Sequence, residues 1–290
     1  MNRLRLAFHF LMLAGGLGFL FLTASAPPNG AFFPAARPVR ADAWKAPAAA
    51  HFGVRVVRAY PHDPEAFTQG LFYQDGYLYE GTGLYGKSSL RRIDLASGRI
   101  VRIRRLSAAL FGEGIASCRN RIIQLTWRER VGFVYDLRTF RLLGRFPWEG
   151  EGWGITCDGR RLIASDGTDR LRLFDPDTHR PIGSLSVRDG DGRPVQRLNE
   201  LEFVDGEIFA NVWQSDRVAR ICPKTGRVAG WIHLPELERG PAGEGPNGIA
   251  YDARGKRLFI TGKLWPRVYE VILTPLAGPP RRMETGGAAP

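Results

Sequence analysis

Five stretches of this chain repeat one pattern, in which a short apolar strand, a tight polar turn and a second apolar strand follow one another. The stretches span residues 67–83, 111–127, 152–167, 198–213 and 246–265. Asp-Gly, the strongest short hairpin signal, stands in three of the turns. Each of the first four stretches is followed by another pair of strands, so four-stranded units recur about every 40–48 residues. The pattern predicts an all-β fold, and this spacing is typical of β-propeller blades.

The fifth unit lacks a strand of its own. Residues 267–273 supply its third strand, and the chain then turns to proline and glycine. Residues 54–60 form an apolar strand that precedes the first unit and belongs to none of the others. Pairing these two strands closes the ring and leaves no open sheet edge. We therefore predict a five-bladed β-propeller whose last blade is completed by the N-terminal strand.

The N-terminal residues have the pattern of a secretory signal peptide. Arg3 and Arg5 precede an apolar run, and small residues at 24–26 provide a cleavage site. The alternative is an uncleaved membrane anchor, because the run is near the lower length limit for a spanning helix. Both interpretations predict export, to the periplasm or the medium, and we expect no stable membrane insertion once the signal is cleaved. The predicted segments are a signal peptide (1–26), an Ala/Pro-rich linker (27–50), the propeller (51–274) and a disordered tail (275–290).

The chain is basic, with a formal net charge of +12 and 36 arginines against 5 lysines. Because the arginines are scattered along every segment and the chain is predicted to be exported, we do not expect it to bind nucleic acid. Its three cysteines are odd in number and lack CxxC spacing, so no disulfide framework is indicated. Cys118 and Cys157 occupy similar hairpin positions. A bond between them and buried free thiols both remain open.

The ends of the repeated hairpins predict a binding site. The first strand of a blade runs from one face to the other and the second returns, so the start of one and the end of the other share a face. The positions that this rule collects at the channel mouth are Phe67, Gln69, Phe111, Glu113, Trp127, Trp153, Asn199, Trp213, Asn247, Lys263 and Trp265. An apolar pocket with a few converging polar groups is the usual form of a ligand site.

Each of these residues also has a structural interpretation. Tryptophans in propellers often wedge between blades. Glu113 has a carboxylate that can accept hydrogen bonds from backbone N–H groups of a neighbouring blade. Gln69 and Asn199 are residue types that stabilise turns. Lys263 is either a solvated surface residue or a compact cation that the site requires. The second interpretation follows from the composition, because this chain otherwise uses arginine far more often than lysine. The glycines on both sides of Glu113 are interpreted as letting the backbone bend and as keeping bulk away from its side chain.

Metal and cofactor chemistry is not indicated. The five histidines show no ligand spacing, and no zinc-type cluster is present in the sequence. The chain also lacks a GxSxG motif and a Gly-rich phosphate loop. We expect a monomer that uses neither a metal nor a cofactor.

Several motifs resemble those of a known family, the plant and bacterial type of glutamine cyclotransferase, also called glutaminyl-peptide cyclotransferase. They are "FTQGL", "LYEGTGLYGKSSLR", "FGEGI", "QLTW", "EGWGIT", "LNELEFVDGEIFANVWQSDR", "PNGIAYD" and "FITGKLWPRVYEV". The resemblance covers nearly all of residues 54–273, and it implies a metal-free, five-bladed propeller. One departure is Gly81, where the family pattern usually has Ser.

The resemblance also implies a reaction, in which the N-terminal glutamine of a peptide or protein becomes pyroglutamate and ammonia is released. It assigns an acid/base role to Glu113 and catalytic roles to Lys263 and Asn199, and leaves open which of those two stabilises the oxyanion. The substrate-binding residues that it implies are Phe67, Gln69, Phe111, Trp127, Trp153 and Trp213.

Two other functions compete with this one. The first is a non-catalytic exported propeller that binds a peptide or an envelope partner at the same channel mouth. The second is a calcium-dependent, lactonase-like hydrolase, which requires several carboxylates at the channel. Because Glu113 is the one carboxylate that the strand-end rule places there, the second is disfavoured. Fold alone does not separate these functions.

Overall fold

The structure is a computed structural model that describes residues 48–234, 237 and 244–280. The predicted signal peptide (1–26), most of the linker and residues 281–290 of the tail lie outside the described residues. The described chain is all-β, as predicted, and consists of strands joined by turns and short loops. Within these ranges no helix is long and apolar enough to cross a lipid bilayer.

Three sheets have four strands each, hydrogen-bonded in the order of the sequence. The first contains β2 (Thr68–Gln74), β3 (Tyr77–Thr82), β4 (Ser89–Asp94) and β5 (Ile100–Arg105). The second contains β6 (Gly112–Cys118), β7 (Arg121–Thr126), β8 (Val131–Asp136) and β9 (Leu142–Pro147). The third contains β10 (Ile155–Cys157), β11 (Leu162–Ala164), β12 (Arg170–Phe174) and β13 (Pro181–Ser186).

A fourth sheet has eight strands and joins the last two units of the chain. Its first half contains β14 (Leu198–Val204), β15 (Glu207–Val212), β16 (Arg217–Ile221) and β17 (Val228–His233). Its second half contains β18 (Pro246–Asp252), β19 (Arg257–Gly262), β20 (Arg267–Leu276) and β1 (Ala50–Pro61). Strand β1 pairs antiparallel with β20 along its length, as the strand-closure argument requires. It also forms a short parallel pairing with β17, which the sequence did not predict and which fuses the two halves.

The first strands of the five units contact one another in a closed cycle. β2 contacts β6, β6 contacts β10, β10 contacts β14, β14 contacts β18, and β18 returns to β2. This arrangement fits a β-propeller-like fold. It also places the starts of these strands around a common centre, where the sequence predicted a site.

The hairpin turns follow directly from the sequence. In the turn between β6 and β7, Arg119 and Asn120 have φ values of 49° and 64°. Two successive residues with positive φ form the tight turn that matches the twist of antiparallel strands, and asparagine is among the residues that tolerate this conformation best. The turn returns β7 beside β6, so Trp127 ends on the same face as Glu113.

The hydrophobic core lies between neighbouring sheets. Leu125 of β7, Ile155 of β10 and Leu162 of β11 belong to one buried cluster that joins the second and third sheets. Leu71 of β2 and Phe259 of β19 join the first sheet to the last unit in the same way. Each such side chain contributes about 1.5–3 kcal/mol through burial, so the contacts between sheets hold the ring together.

Two carboxyl groups of β14 connect strands that ladder hydrogen bonds do not join. Glu200 accepts the backbone N–H of Leu71 at 3.2 Å and that of Ile249 at 2.9 Å. Glu202 accepts the backbone N–H of Tyr251 at 3.0 Å. Burial raises the pKa of Glu200 well above its ordinary value, and it raises the pKa of Glu202 to about 8. These carboxyls therefore cross-link the inner strands and hold protons to unusually high pH.

A disulfide joins the second and third sheets. Cys118 at the end of β6 is bonded to Cys157 at the end of β10, across a sequence separation of 39 residues. Cys222 is a free thiol. The structure thus answers the question that the spacing of the cysteines left open.

Candidate active site

A pocket of about 280 Å³ opens where the inner strands begin. All nine residues that the sequence assigned to catalysis or substrate binding line it. Its complete lining consists of Phe67, Gln69, Leu84, Phe111, Glu113, Trp127, Trp153, Asn199, Trp213, Glu244 and Lys263.

Strand geometry explains why these residues meet. Gln69, Glu113 and Asn199 are each the second residue of the first strand of a unit. Trp127 directly follows the second strand β7, and Trp213 directly follows β15. Side chains from residues more than a hundred positions apart therefore reach one pocket, because the repeated hairpins start and end on the same face.

Glu113 lies at the base of the pocket with 4% of its surface exposed. Its Oε1 accepts a hydrogen bond of 2.8 Å from Gln69 Nε2. Burial raises the pKa of Glu113, Lys263 lowers it and Glu151 raises it, so that the net pKa stands well above the ordinary value. A carboxyl whose pKa is raised by burial keeps its proton to higher pH than a free carboxyl, which suits a general acid or base.

The glycines beside Glu113 lie at an irregularity of the strand. The pairing of β6 with β7 shifts register between Gly112 and Ile115, although neither Gly112 nor Gly114 has a positive φ. A Cβ atom on Gly114 would lie 2.5 Å from the carbonyl oxygen of Trp153. A Cβ atom on Gly81 would likewise lie 2.8 Å from the carbonyl oxygen of Glu113. Glycine at these positions lets strands of neighbouring sheets approach closely beside Glu113.

Lys263 follows β19 and is nearly buried, with 7% of its surface exposed. Its Nζ lies 4.8 Å from the centroid of the Phe67 ring. Burial lowers the pKa of Lys263, and the nearby carboxylates of Glu113 and Glu244 oppose this only in part. The pocket therefore holds a compact, desolvated amine and a desolvated carboxyl, which interact with each other.

The amides form a directed chain. Asn247 Nδ2 donates to the backbone oxygen of Thr68 and to Gln69 Oε1, both at 2.9 Å. Because Gln69 accepts through its oxygen, its Nε2 is directed to Glu113. Asn199 differs from both, since its Oδ1 is buried and has no hydrogen-bond partner among the described residues. A buried acceptor without a partner is costly unless a ligand uses it.

Aromatic side chains form the walls. Phe111 contacts Phe67 on one side and Trp127 on the other, with ring centroids 6.3 Å and 5.5 Å apart. Trp153 and Trp213 pack edge to face at 5.5 Å. Trp213 remains 40% exposed, so it stands at the mouth. The walls are suited to holding an apolar stem while excluding water.

The structure corrects the predicted position of Trp265 and adds residues that the sequence reasoning missed. Trp265 is fully buried and does not line the pocket, although its Nε1 donates to the backbone oxygen of Glu244 at 2.8 Å. Leu84 and Glu244 line the pocket but lie outside the strand ends that the rule selects. Glu151 was also missed. The one signal for it is an acidic residue two positions before Trp153.

The sequence predicts no metal ligands. Between residues 48 and 280, leaving aside those that the structure does not describe, no group of three or more His, Cys, Asp or Glu side chains is arranged to hold a metal ion. The charged and amide side chains that line the pocket are two carboxyls, two amides and a lysine, namely Glu113, Glu244, Gln69, Asn199 and Lys263.

Comparisons with known proteins identify the family of this chain. Residues 31–273 match the family model described as glutamine cyclotransferase. The chain is 45% identical to the glutaminyl-peptide cyclotransferase of Arabidopsis thaliana over 228 residues, which cover 76% of this chain and 71% of that protein. Its structure resembles the crystal structure of Myxococcus xanthus glutaminyl cyclase with a TM-score of 0.74 and 37% identity, over 79% of this chain and 99% of that one. This chain therefore belongs to the glutamine cyclotransferase family.

Proposed function

We propose that this protein is a glutaminyl-peptide cyclotransferase, which converts the N-terminal glutamine of peptides or proteins to pyroglutamate and releases ammonia. The observation that carries the proposal is Glu113, a buried carboxyl with a raised pKa that is hydrogen-bonded to Gln69 inside an aromatic pocket. The name of the Arabidopsis relative supports the same activity. The binding-only function is not favoured, because binding alone does not require a poised proton carrier.

The reaction is an intramolecular acyl transfer. The α-amine attacks the γ-carbonyl carbon of the same residue, a C–N bond forms, and the bond to the side-chain nitrogen breaks. The amine has a reference pKa of about 8, so a useful fraction is neutral near neutral pH. Because both reacting groups belong to one residue, orientation supplies much of the rate. The pocket must therefore hold the glutamine folded on itself.

Glu113 performs the proton transfers. As a carboxylate it accepts a proton from the attacking nitrogen, and as a carboxylic acid it then donates that proton to the departing NH2 group. Such transfers contribute about 10²–10⁴ in rate. Gln69 holds the carboxyl of Glu113 in place through its hydrogen bond of 2.8 Å to Oε1. Glu113 therefore performs both proton transfers without changing position.

Lys263 and Asn199 take different roles in this mechanism. The carbonyl oxygen becomes negative in the tetrahedral intermediate, and the desolvated Nζ of Lys263 is a donor suited to that charge. Asn199 offers a buried oxygen that lacks a partner among the described residues. That oxygen accepts an N–H of the substrate, from the α-amine or the γ-amide. In this assignment Lys263 binds the oxyanion, and Asn199 binds the nitrogen side of the substrate.

The aromatic residues bind the aliphatic part of the glutamine. Phe67, Phe111, Trp127, Trp153 and Trp213 line the pocket from several units of the ring. Their faces exclude water from the reacting carbonyl, which strengthens every electrostatic interaction inside. Because Trp213 is partly exposed, it also contacts the residue that follows the glutamine.

We infer that the ring is a five-bladed propeller. The support is the closed cycle of β2, β6, β10, β14 and β18, each of which begins a unit of four strands. Strand β1 completes the last unit by pairing with β20. A closed ring of this kind leaves no unpaired inner edge and surrounds one channel with five strand starts.

We further propose that the enzyme is exported and that it acts as a monomer without a metal. The Cys118–Cys157 disulfide supports export, because such bonds persist in oxidising compartments.

The N-terminal sequence of the mature protein, isolated from its native cells, tests removal of residues 1–26. Sedimentation of the active species tests the monomer. Activity after dialysis against EDTA tests the metal requirement.

A mass-spectrometric assay tests the activity. The purified protein is incubated with a Gln-initiated peptide, with the same peptide N-acetylated, and with the same peptide beginning with Asn. We expect the first to lose one ammonia faster than in a protein-free sample, and the other two to stay intact, since one lacks the nucleophile and the other lacks a methylene. A pocket that binds the Gln peptide without converting it would contradict the proposal and favour the binding-only function.

A further inference from the structure

Glu151 connects the two tryptophan walls of the pocket. It lies in the loop between β9 and β10, and a single oxygen, Oε2, accepts the indole N–H of Trp127 at 2.9 Å and that of Trp153 at 3.0 Å. Its other oxygen accepts Arg128 Nε at 2.9 Å. The side chain does not line the pocket, yet it binds two residues that do. Glu151 thus holds side chains from two different sheets.

Glu151 is held as a carboxylate. Partial burial alone would raise its pKa, but the hydrogen bonds from Trp153, Trp127 and Arg128 together lower it. Three donors converge on two oxygens, and only an ionised carboxylate accepts all of them without donating. Hydrogen bonds to an ionised acceptor are also stronger than those between neutral groups. The loop therefore carries a fixed negative charge beside the pocket.

We propose that Glu151 is a positioning residue, whose carboxylate holds Trp127 and Trp153 as paired walls and places a permanent negative charge near Glu113. The proposal rests on the proposed function, since the walls and Glu113 matter there. When an acceptor outside the pocket holds the N–H edge of an indole, the face of the ring is available to a ligand inside the pocket. By fixing both edges with one oxygen, Glu151 sets the distance between two walls that lie on separate strands.

The negative charge of Glu151 affects the pKa of the acid/base group, Glu113. The charged groups that act on Glu113 are Lys263, which favours its ionised form, and Glu151 and Glu129, which favour its protonated form. Removal of the charge at Glu151 therefore lowers the pKa of Glu113. The carboxylate then persists to lower pH, and the acidic limb of the pH profile of kcat moves to lower pH.

Two substitutions separate the two roles. In Glu151→Gln the side chain keeps its size and loses its charge, so KM for a Gln-initiated peptide should rise about tenfold and the acidic limb should move to lower pH. In Glu151→Asp the charge remains but the arm is shorter by one methylene, so KM should rise while the acidic limb stays in place. Glu149→Gln is the matched control, because Glu149 is an exposed carboxylate of the same loop outside the pocket lining. It should leave KM and the pH profile unchanged.

A readout that does not depend on turnover keeps the test independent of the proposed function. In protein labelled with ¹⁵N-tryptophan, Glu151→Gln should shift the indole N–H resonances of Trp127 and Trp153 and speed their exchange with solvent. Those of the other tryptophans, such as the buried Trp265, should stay in place. Unmoved resonances of the two indoles would overturn the wall-fixing role even if the wild type proved inactive.

The kinetic outcomes are equally decisive. If Glu151→Gln and Glu151→Asp both match the wild type within twofold in KM, and the acidic limb does not move, the proposal is wrong. A melting temperature recorded on each preparation shows whether a loss of activity reflects unfolding. If the wild type fails to convert the peptide while the indole shifts occur as expected, the proposed function falls and the structural role of Glu151 remains.

Discussion

Gln69 and Glu113 face each other across the first two sheets, joined by a hydrogen bond of 2.8 Å from the amide nitrogen to Oε1. Asn247 fixes the other end of the amide, because it donates to Gln69 Oε1 at 2.9 Å. The orientation of Gln69 is therefore determined by two neighbours. The bond engages Oε1 of Glu113, so under the proposed function we expect proton transfer to proceed through Oε2.

Replacement of Glu113 by Gln tests this assignment. Glu113→Gln keeps the size of the side chain but cannot accept a proton, so kcat should fall by about 10²–10⁴. Peptide binding should change little, because the walls are untouched. Both kcat and the melting temperature are to be measured on one preparation, and a folded variant with nearly normal kcat would contradict the acid/base role.

Replacement of Lys263 by Arg tests the demand for a compact cation. The Nζ is almost buried and lies against the ring of Phe67. A planar guanidinium is larger and does not reproduce this position, so Lys263→Arg should lower kcat by about 10²–10³, the usual cost of losing one oxyanion donor. The control is Lys256→Arg, at an exposed residue paired with Asp205 at 2.7 Å, which should keep full activity. Normal turnover in Lys263→Arg would leave only a general electrostatic role.

Two tryptophans that the strand-end rule treated alike should behave in opposite ways. Trp213 is partly exposed in the pocket, so Trp213→Ala should lower kcat/KM about 10–100-fold, equivalent to about 1.5–3 kcal/mol of lost apolar contact, with little change in melting temperature. Trp265 is fully buried, so Trp265→Ala should lower the free energy of unfolding by about 3–5 kcal/mol. Urea unfolding and steady-state kinetics on both variants decide the point. Equal destabilisation by the two changes would show that Trp213 is also a packing residue.

Loss of the disulfide should affect stability rather than catalysis. The Cys118–Cys157 bond closes a loop with a sequence separation of 39 residues, which corresponds to about 4 kcal/mol in the chain-entropy relation. The double variant Cys118→Ser/Cys157→Ser should unfold at correspondingly lower urea concentration and retain wild-type kcat at 25 °C or so. Cys222→Ser serves as the control, since that thiol is free. A variant with unchanged unfolding would show that the bond does not constrain the unfolded chain.

The inner carboxyls predict a dependence of stability on pH. The pKa of Glu202 is raised to about 8 in the folded chain from a reference of 4.5. Between these values the folded chain holds a proton that the unfolded chain has lost, so the free energy of unfolding falls as the pH rises and levels off above about 8. Glu202→Gln has no such proton, so its stability should fall less over the same range. Urea unfolding from pH 5 to pH 9 checks this, with Glu207→Gln as a control in the same hairpin, and equal slopes for Glu202→Gln and wild type would refute it.

Much of the site could be predicted because the repeats are local. The positions of Gln69, Glu113 and Asn199 depend only on where the first strand of each hairpin starts, and the turn residues reveal that start. The turn at Arg119 and Asn120 shows how strong this signal is, since both residues take the φ values that the hairpin needs. The strand ends alone therefore predict the position of the pocket.

What could not be predicted depends on contacts between distant segments. Glu151 lies in a loop, and only the folded chain shows that the indoles of Trp127 and Trp153 both reach it. Trp265 obeys the strand-end rule but is covered by neighbouring residues, which no local pattern reports. The close approach of the Trp153 backbone to Gly114 was also hidden, because it joins two different sheets.

The pairing of β1 with β20 has a consequence for how the chain folds. Val54 lies opposite Leu273, so the contact joins residues from nearly opposite ends of the described sequence. Contacts of such high contact order form slowly, since a long loop must close before any of them contributes. The short parallel pairing of β1 with Gly230–Ile232 involves residues that precede β20 in the sequence, and it gives β1 a docking place while β20 is still unpaired. We therefore expect β1 to dock against β17 first and the pairing of β1 with β20 to be the slow step that closes the ring.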